Sequence, residues 1–162
     1  MNATSGHDWD AEIRPYLTPY FAYGAAFVIA AAHIAVGALL KAKSTGVVFQ
    51  TADQVAIGAL GIVIAGLVLL LARPRLRVGP AGLSVRNLVG YRLIPWSAVV
   101  DVSFPDGARW ARIDLPGDEY IPVLAIQAVD KNRAVDAMNT VRASLLRYRP
   151  DLRSAADDTS SA

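Results

Sequence analysis

The stretch GLSVRNLVGYRLIPWSAVV, residues 82–100, decides the fold of the second half of the chain. Leu83 and Val85 alternate with polar neighbours, which is the pattern of a half-buried β-strand. The following VGY predicts a turn, and the run RLI predicts the strand that returns from it. The stretch therefore predicts an antiparallel hairpin that carries Arg86 on one strand and Arg92 on the next.

Further short strands are predicted on both sides of this hairpin. Before it, RLRV (75–78) alternates and is closed by GPAG (79–82), a turn signal rich in glycine and proline. After it come WSAVVDVSF (96–104), RWARIDL (109–115) and YIPVLAI (120–126), separated by the turn sequences PDG and PGDE. This spacing predicts five or six short strands in an antiparallel meander.

One amphipathic helix follows the strands. Asp130 is predicted to cap a helix that begins near Lys131, and Pro150 ends it. Its apolar stripe has helical spacing and consists of Val135, Met138, Val141 and Leu145. A bent sheet has an open end that such a helix can cover. The prediction is therefore an α+β domain over residues 73–149, an antiparallel sheet or barrel capped by a C-terminal α-helix.

Two tryptophans and the last residues complete this half of the chain. Trp96 and Trp110 are predicted to be large side chains of the core or its rim. Residues 150–162 include RSAADDTSSA, which has no apolar period, and are predicted to form a disordered tail.

Two uncharged apolar runs precede the domain. As helices, residues 20–40 would span about 31 Å and residues 55–72 about 27 Å, enough to cross a hydrocarbon core. The composition agrees, with 54% hydrophobic residues and a mean hydropathy of +0.34. A cleavable signal peptide is disfavoured, because the leader has three acidic residues and one arginine instead of a basic n-region. The pattern predicts a transmembrane hairpin joined by residues 41–54.

The charges that flank the two runs predict their orientation. The outer flanks carry Arg14 and three arginines after the second run, whereas the connection carries Lys41 and Lys43. The positive-inside rule then places both termini in the cytoplasm. Residues 1–19 are predicted to be cytoplasmic and residues 41–54 extracytoplasmic, in a plasma membrane protein with two spans.

Small residues are spaced along both runs in a way that lets helices approach closely. The packing candidates are Ala31, Ala35, Gly58, Gly61, Ala65 and Gly66. They favour packing within the hairpin, with association with another membrane protein or self-association as the alternative. His33 has no acidic partner in either run, so it is predicted to be neutral and bonded to a neighbouring helix or an interface.

The order of these elements resembles a pleckstrin-homology (PH) domain. RVGPAGLSVRNLVGYRLIPWSAVVDVSF, followed by GARWARIDL and DEYIPVLAI, is similar to the bacterial PH domains of actinobacterial membrane proteins, including the low-molecular-weight protein antigen type. The resemblance covers about residues 73–148. It implies one or more transmembrane helices before the domain, and it implies no enzyme activity.

The resemblance also implies that basic residues near the first hairpin are candidates for ligand binding. PH domains that bind phosphoinositides carry basic residues in and around their first hairpin loop, but here that loop is the uncharged GPAG. The candidates for lipid-headgroup or partner binding are Arg73, Arg75, Arg77, Arg86 and Arg92. They are either solvated strand residues, some of them paired with acidic neighbours such as Asp101, Asp114 or Glu119, or contacts to the anionic cytoplasmic leaflet. The second interpretation applies most directly to the three arginines that follow the second apolar run.

Several function classes are disfavoured by composition. The chain has no cysteine, its predicted soluble part has no histidine, and no nucleophile, phosphate-loop or zinc motif is present. An enzyme, a cofactor and a metal are therefore not expected, and a net charge of +2 does not indicate a nucleic-acid binder. The leading hypothesis is a membrane-anchored PH-like protein-binding or assembly module. The alternatives are an anionic-lipid-sensing module and a structural accessory subunit of a larger membrane complex.

Overall fold

A computed structural model describes residues 9–42 and 51–152. The described residues form two compact units. One, here the helical hairpin, comprises residues from Tyr16 to Arg73. The other, here the β unit, combines the residues up to Pro15 with those from Pro74 onward. The strands are β1 Ala11–Ile13, β2 Arg75–Gly79, β3 Gly82–Arg86, β4 Tyr91–Ile94, β5 Asp101–Ser103, β6 Trp110–Asp114 and β7 Tyr120–Gln127, and the helices are α1 Leu17–Ala42, α2 Thr51–Leu69 and α3 Asn132–Tyr148.

The β unit contains two antiparallel sheets and one helix. The first sheet has the order β1-β2-β3-β4 and the second has the order β5-β6-β7. Apolar side chains from both sheets and from α3 meet in one core, whose fully buried members include Leu76, Leu83, Val102, Ile113 and Val141. The predicted α+β architecture, an antiparallel sheet structure with a C-terminal helix, is confirmed.

Strand β1 comes from the segment before the apolar helices. Ala11 lies opposite Val78 and Ile13 lies opposite Leu76, so β1 extends the first sheet beyond β2. Nothing in the sequence pattern predicts this strand, because three residues are too few to show an alternation. Its formation depends on pairing with residues more than 60 positions away, and it makes part of the N-terminal segment a component of the β unit.

Helix α3 covers the core with a slightly different face from the predicted one. Its buried residues are Ala134, Met138, Val141 and Leu145. Val135 is 57% exposed, so its predicted place in the stripe is wrong and the smaller Ala134 occupies it. The N-cap position belongs to Lys131, at φ 49°, rather than to Asp130. The helix ends at Tyr148, because the residue before a proline disfavours helical geometry.

Trp96 joins the end of α3 to the sheets. Its ring stacks on Tyr148 with 5.3 Å between centroids, and its Nε1 donates to the carbonyl oxygen of Gly79 at 2.9 Å. Arg149 donates to the carbonyl oxygens of Trp96 at 2.9 Å and Val99 at 3.1 Å. Trp96 is therefore a core residue, whereas Trp110 is 41% exposed and lies at the rim.

The helical hairpin contains two stretches that are long and apolar enough to cross a membrane. They run from Leu17 to Leu39 and from Thr51 to Ala72, so they begin earlier than residues 20 and 55. Most of their large side chains are exposed, including Phe27 at 75% and Leu67 at 61%. The connection between them falls largely outside the described residues, as does the predicted tail from residue 153 onward. The first three residues of that predicted tail, 150–152, are helical and Leu152 packs against the core, so their assignment to a disordered tail is wrong.

The two helices of the hairpin approach closely at Gly61. A Cβ added there would lie 2.3 Å from Cβ of His33, whose Nδ1 lies 2.8 Å from the carbonyl oxygen of Ile29. Ala65 is also buried. The other packing candidates are placed differently, with Gly58 half-buried and Ala31, Ala35 and Gly66 exposed. Packing of those four against another helix stays a prediction.

Candidate functional site

Strand alternation places a row of arginines on the outer face of the first sheet. Leu76, Val78, Leu83 and Val85 point to the core, so the residues between them point outward. Arg75 lies opposite Arg86, and Arg86 lies opposite Tyr91 on the next strand. Arg77 lies opposite Ser84 on one side and Glu12 on the other. This surface is called the basic face below.

The basic face contains a cleft of about 490 Å³. Guanidinium groups, aromatic rings and the hydroxyl group of a serine line it, supplied by Arg75, Arg77, Arg86, Trp9, Tyr91 and Ser84. Arginine and serine side chains donate hydrogen bonds, and the two rings offer flat apolar surface. This combination suits an anionic ligand that also has an apolar part.

Glu12 is an acidic residue on this face. Its carboxylate accepts a hydrogen bond from Arg77 at 2.9 Å, lies 3.7 Å from Arg75 and pairs with Arg14 at 2.5 Å. Burial raises the pKa of Glu12, but hydrogen bonds and charges from Arg14 and Arg77 outweigh it, so the pKa lies below the ordinary value. The carboxylate is therefore ionised at neutral pH and partly neutralises the arginines around it.

Arg86 differs from the other arginines of the cleft. Within residues 9–42 and 51–152 it has no ion pair and no side-chain hydrogen bond, and its side chain is exposed. One carboxylate, that of Glu12, therefore contacts Arg14, Arg75 and Arg77, while no described residue compensates the charge of Arg86. The described part of the basic face has a clear excess of positive charge.

The remaining two candidate arginines do not join the cleft. Arg92 lies opposite Val85, a core residue, so it projects from the other face of the sheet. Arg86 and Arg92, which the sequence places together in one hairpin, are therefore on opposite faces. Arg73 belongs to the helical hairpin, where it follows the short 3-10 helix Leu70–Ala72. Trp9 and Glu12 were not among the sequence-based candidates, because nothing local shows that β1 pairs with β2.

The turn before β3 is a separate place on the first sheet. Gly79 lies opposite Gly82, four residues along the strands from the pair formed by Arg75 and Arg86. At about 3.3 Å per residue, the pair of Arg75 and Arg86 lies roughly 13 Å from the GPAG turn, and the pair of Arg77 and Ser84 lies roughly 7 Å from it. Gly82 has φ +128°, and a Cβ there would lie 2.1 Å from the carbonyl oxygen of Ile94. This turn is tightly packed and carries no charge, as its sequence indicates.

Strand β4 is one of the two edge strands of the first sheet, the other being β1, and it exposes apolar side chains. Tyr91 is 74% exposed and Leu93 is 42% exposed, and in the preceding turn Val89 is 87% exposed. Across the described residues, no group of histidine and acidic side chains is suitable for holding a metal ion. Two features of the first sheet are candidates for binding a ligand or a partner protein. They are the arginine-lined cleft and the open edge of β4.

Comparison with known proteins places this arrangement in a family. The model of the bacterial PH domain matches residues 73–144, which cover β2 to most of α3. Residues 73–144 of the chain are a bacterial PH domain. The chain is 72% identical over 146 residues to uncharacterized proteins of Mycobacterium tuberculosis and Mycobacterium bovis, a match that covers 90% of this chain and 95% of each relative. No solved structure matches the chain significantly. PH domains are typically non-catalytic modules that bind lipids or proteins, which agrees with a surface made of arginines and an open sheet edge.

Proposed function

We propose that this protein is a membrane-anchored, non-enzymatic assembly module whose PH domain holds a partner protein at the cytoplasmic face of the plasma membrane. The two apolar stretches of the helical hairpin supply the anchor. The flanking charges of the sequence support an orientation with both termini in the cytoplasm. In this function the domain needs no catalytic residue, because binding alone brings the partner to the membrane.

The observation that carries this proposal is the open edge of β4. An edge strand presents unpaired backbone N–H and C=O groups that can accept an added strand. Beside those groups, Tyr91 and Leu93 offer exposed apolar surface. The segment 86–94 contains two arginines and no acidic residue. The partner is therefore a protein with an extended segment that alternates apolar and acidic side chains.

Co-purification in mild detergent tests this function. The tagged full-length protein is compared with Leu93→Lys, which puts a charge on the β4 edge, and with Val129→Lys as a matched control. Val129 is 47% exposed and lies in the 3-10 helix Ala128–Asp130, away from β4. We expect one partner to be enriched with the wild type and Val129→Lys but lost with Leu93→Lys. Equal enrichment with all three proteins would contradict the role of β4.

The anchor and its orientation are tested separately. The protein is expected to stay in the membrane pellet after alkaline carbonate extraction, as a two-span protein does. A reporter that is active only in the cytoplasm should be active when fused after residue 162 and when fused before residue 1. Release into the supernatant would reject the anchor, and activity of an extracytoplasmic reporter would reject the orientation.

The exposed small residues of α1 favour a second candidate, a structural accessory subunit held to another membrane protein by its helices. Ala31 and Ala35 lie on the exposed surface of α1. Ala35→Leu would then abolish co-purification of that protein while the PH domain stays folded. Gly61→Leu is not a suitable test, because the new side chain would collide with His33 inside the hairpin.

A further inference from the structure

We propose that the cleft of the basic face binds the phosphate group of an anionic membrane lipid, and that Glu12 is an internal competitor which this phosphate displaces. The proposal depends on the proposed function only through the membrane anchor and does not require a protein partner at β4. It concerns the outer face of the first sheet rather than the GPAG turn, which carries no charge.

The arrangement of arginines is the first support. Arg75 and Arg86 lie directly opposite each other on neighbouring strands, and Arg77 is two residues along from Arg75 on the same face. Like charges placed opposite each other across a sheet are destabilising, and an anion between them removes that cost. Guanidinium groups bind phosphate through two parallel N–H···O hydrogen bonds, so neighbouring arginines can enclose one phosphate group.

The incomplete neutralisation of this charge is the second support. Glu12 contacts Arg77 at 2.9 Å and Arg75 at 3.7 Å, and among the described residues Arg86 has no acidic partner. A phosphate monoester carries up to two negative charges and three acceptor oxygens, more than the single charge of a carboxylate. It can therefore engage Arg86 and also replace Glu12 at Arg77.

The surroundings of the cleft favour a lipid over a soluble phosphate. Only Arg73 and Pro74 separate the last residue of the second apolar stretch, Ala72, from Arg75. The turn that follows Arg86 exposes Val89 at 87% and Leu88 at 37%. Basic groups that flank exposed apolar side chains suit the headgroup region of a bilayer, where phosphate and acyl chains are both within reach.

Calorimetric titration of the detergent-purified full-length protein tests the proposal. The probes are dioctanoyl phosphatidic acid, dioctanoyl phosphatidylcholine and glycerol 3-phosphate. We expect phosphatidic acid to bind more tightly than the other two, because it combines a phosphate monoester with acyl chains. Tight binding of glycerol 3-phosphate would instead make the site one for soluble phosphates, and absence of phosphatidic acid binding would overturn the proposal.

Matched variants show whether binding uses this cleft. Arg86→Ala and Arg77→Ala should each weaken phosphatidic acid binding about tenfold, the size expected for a lost charge-assisted hydrogen bond. Arg92→Ala removes the same charge from the opposite face and should leave binding unchanged. Glu12→Gln should tighten binding, because the competitor is neutralised. A loss with Arg92→Ala as large as with Arg86→Ala, or weaker binding by Glu12→Gln, would overturn the proposal; circular dichroism verifies that each variant is folded.

Discussion

The outer faces of the two sheets are built alike but differ in their charges. On the second sheet, Arg112 pairs with Asp114 at 2.8 Å and donates to the hydroxyl of Ser103 at 3.0 Å, and that hydroxyl donates to Asp114 at 2.6 Å. The guanidinium group also lies over the ring of Tyr120, at 5.4 Å from its centroid. On this face, the charge and the N–H donors of Arg112 therefore have partners within the protein.

The basic face of the first sheet has the opposite balance. Several arginines share the carboxylate of Glu12, and in the described part of the chain Arg86 has no such partner. Both faces follow from the same alternation of side chains along strands, so alternation does not distinguish them. What distinguishes them is how many arginines share one carboxylate: Arg112 pairs with Asp114, two residues along its own strand, whereas Glu12 alone contacts Arg14, Arg75 and Arg77 among the described residues. An arginine without an acceptor is available to an external anion.

The largest expected effect on stability comes from a substitution in the tight turn between β2 and β3. Gly82→Ala should destabilise the β unit by about 3 kcal/mol or more, because the new Cβ meets the carbonyl oxygen of Ile94 and φ is positive. Gly117→Ala is the control in the turn of the second sheet, where φ is +77° but no atom lies within 4 Å. We expect it to cost about 1 kcal/mol. Thermal unfolding followed by near-ultraviolet circular dichroism measures both, and equal losses would contradict the role of the close contact.

The next test makes the first face resemble the second. Ser84→Asp puts a carboxylate opposite Arg77, as Asp114 stands beside Arg112. Phosphatidic acid binding should fall about tenfold, because the added carboxylate competes for the guanidinium groups. Ser97→Asp, an exposed position in the 3-10 helix Trp96–Ala98, adds the same charge elsewhere and should change binding little. Equal losses would show that only net charge matters.

Removing single arginines should have different effects on stability in the two sheets. Arg112→Ala leaves Asp114 without its ion pair and should lower the free energy of unfolding by about 1 kcal/mol. Arg86→Ala removes a charge that faces Arg75, so it should change stability by less than about 0.5 kcal/mol or increase it. Urea unfolding followed by tryptophan fluorescence compares them, and a larger loss for Arg86→Ala would reverse the comparison.

The smallest expected effect is the response of the first sheet to acid. The pKa of Glu12 is lowered in the folded protein, so its ion pairs stabilise fully above the ordinary glutamate pKa and are lost as pH falls through the lowered value. The partly exposed pairs contribute under about 1 kcal/mol. Melting temperatures between pH 7 and pH 3 should therefore fall less for Glu12→Gln than for the wild type. An identical fall for both proteins would show that these pairs do not contribute.

Much of the fold follows from local sequence. Alternation and turn signals predict the strands from β2 to β7, but the strand predicted over residues 96–104 is shorter, because the 3-10 helix Trp96–Ala98 precedes β5. Helical spacing predicts three of the four buried residues of α3, and the long apolar runs predict the two helices of the hairpin. These features rest on interactions within a few residues, so a short window of sequence contains them. Val135 was misassigned because a window of sequence does not show which way the helix is rotated against the core.

The composition of the candidate site depended on tertiary structure. The sequence by itself determined that arginines flank a β-hairpin and that the GPAG turn is uncharged. Only the folded chain brings Glu12 and Trp9 to the arginines of β2 and β3, because β1 pairs with β2 although both apolar helices lie between these strands in the sequence. Strand register also decides that Arg86 and Arg92 lie on opposite faces, since a shift of one residue reverses every side chain of a strand. Register is set by turn geometry and core packing, which no single stretch of sequence contains.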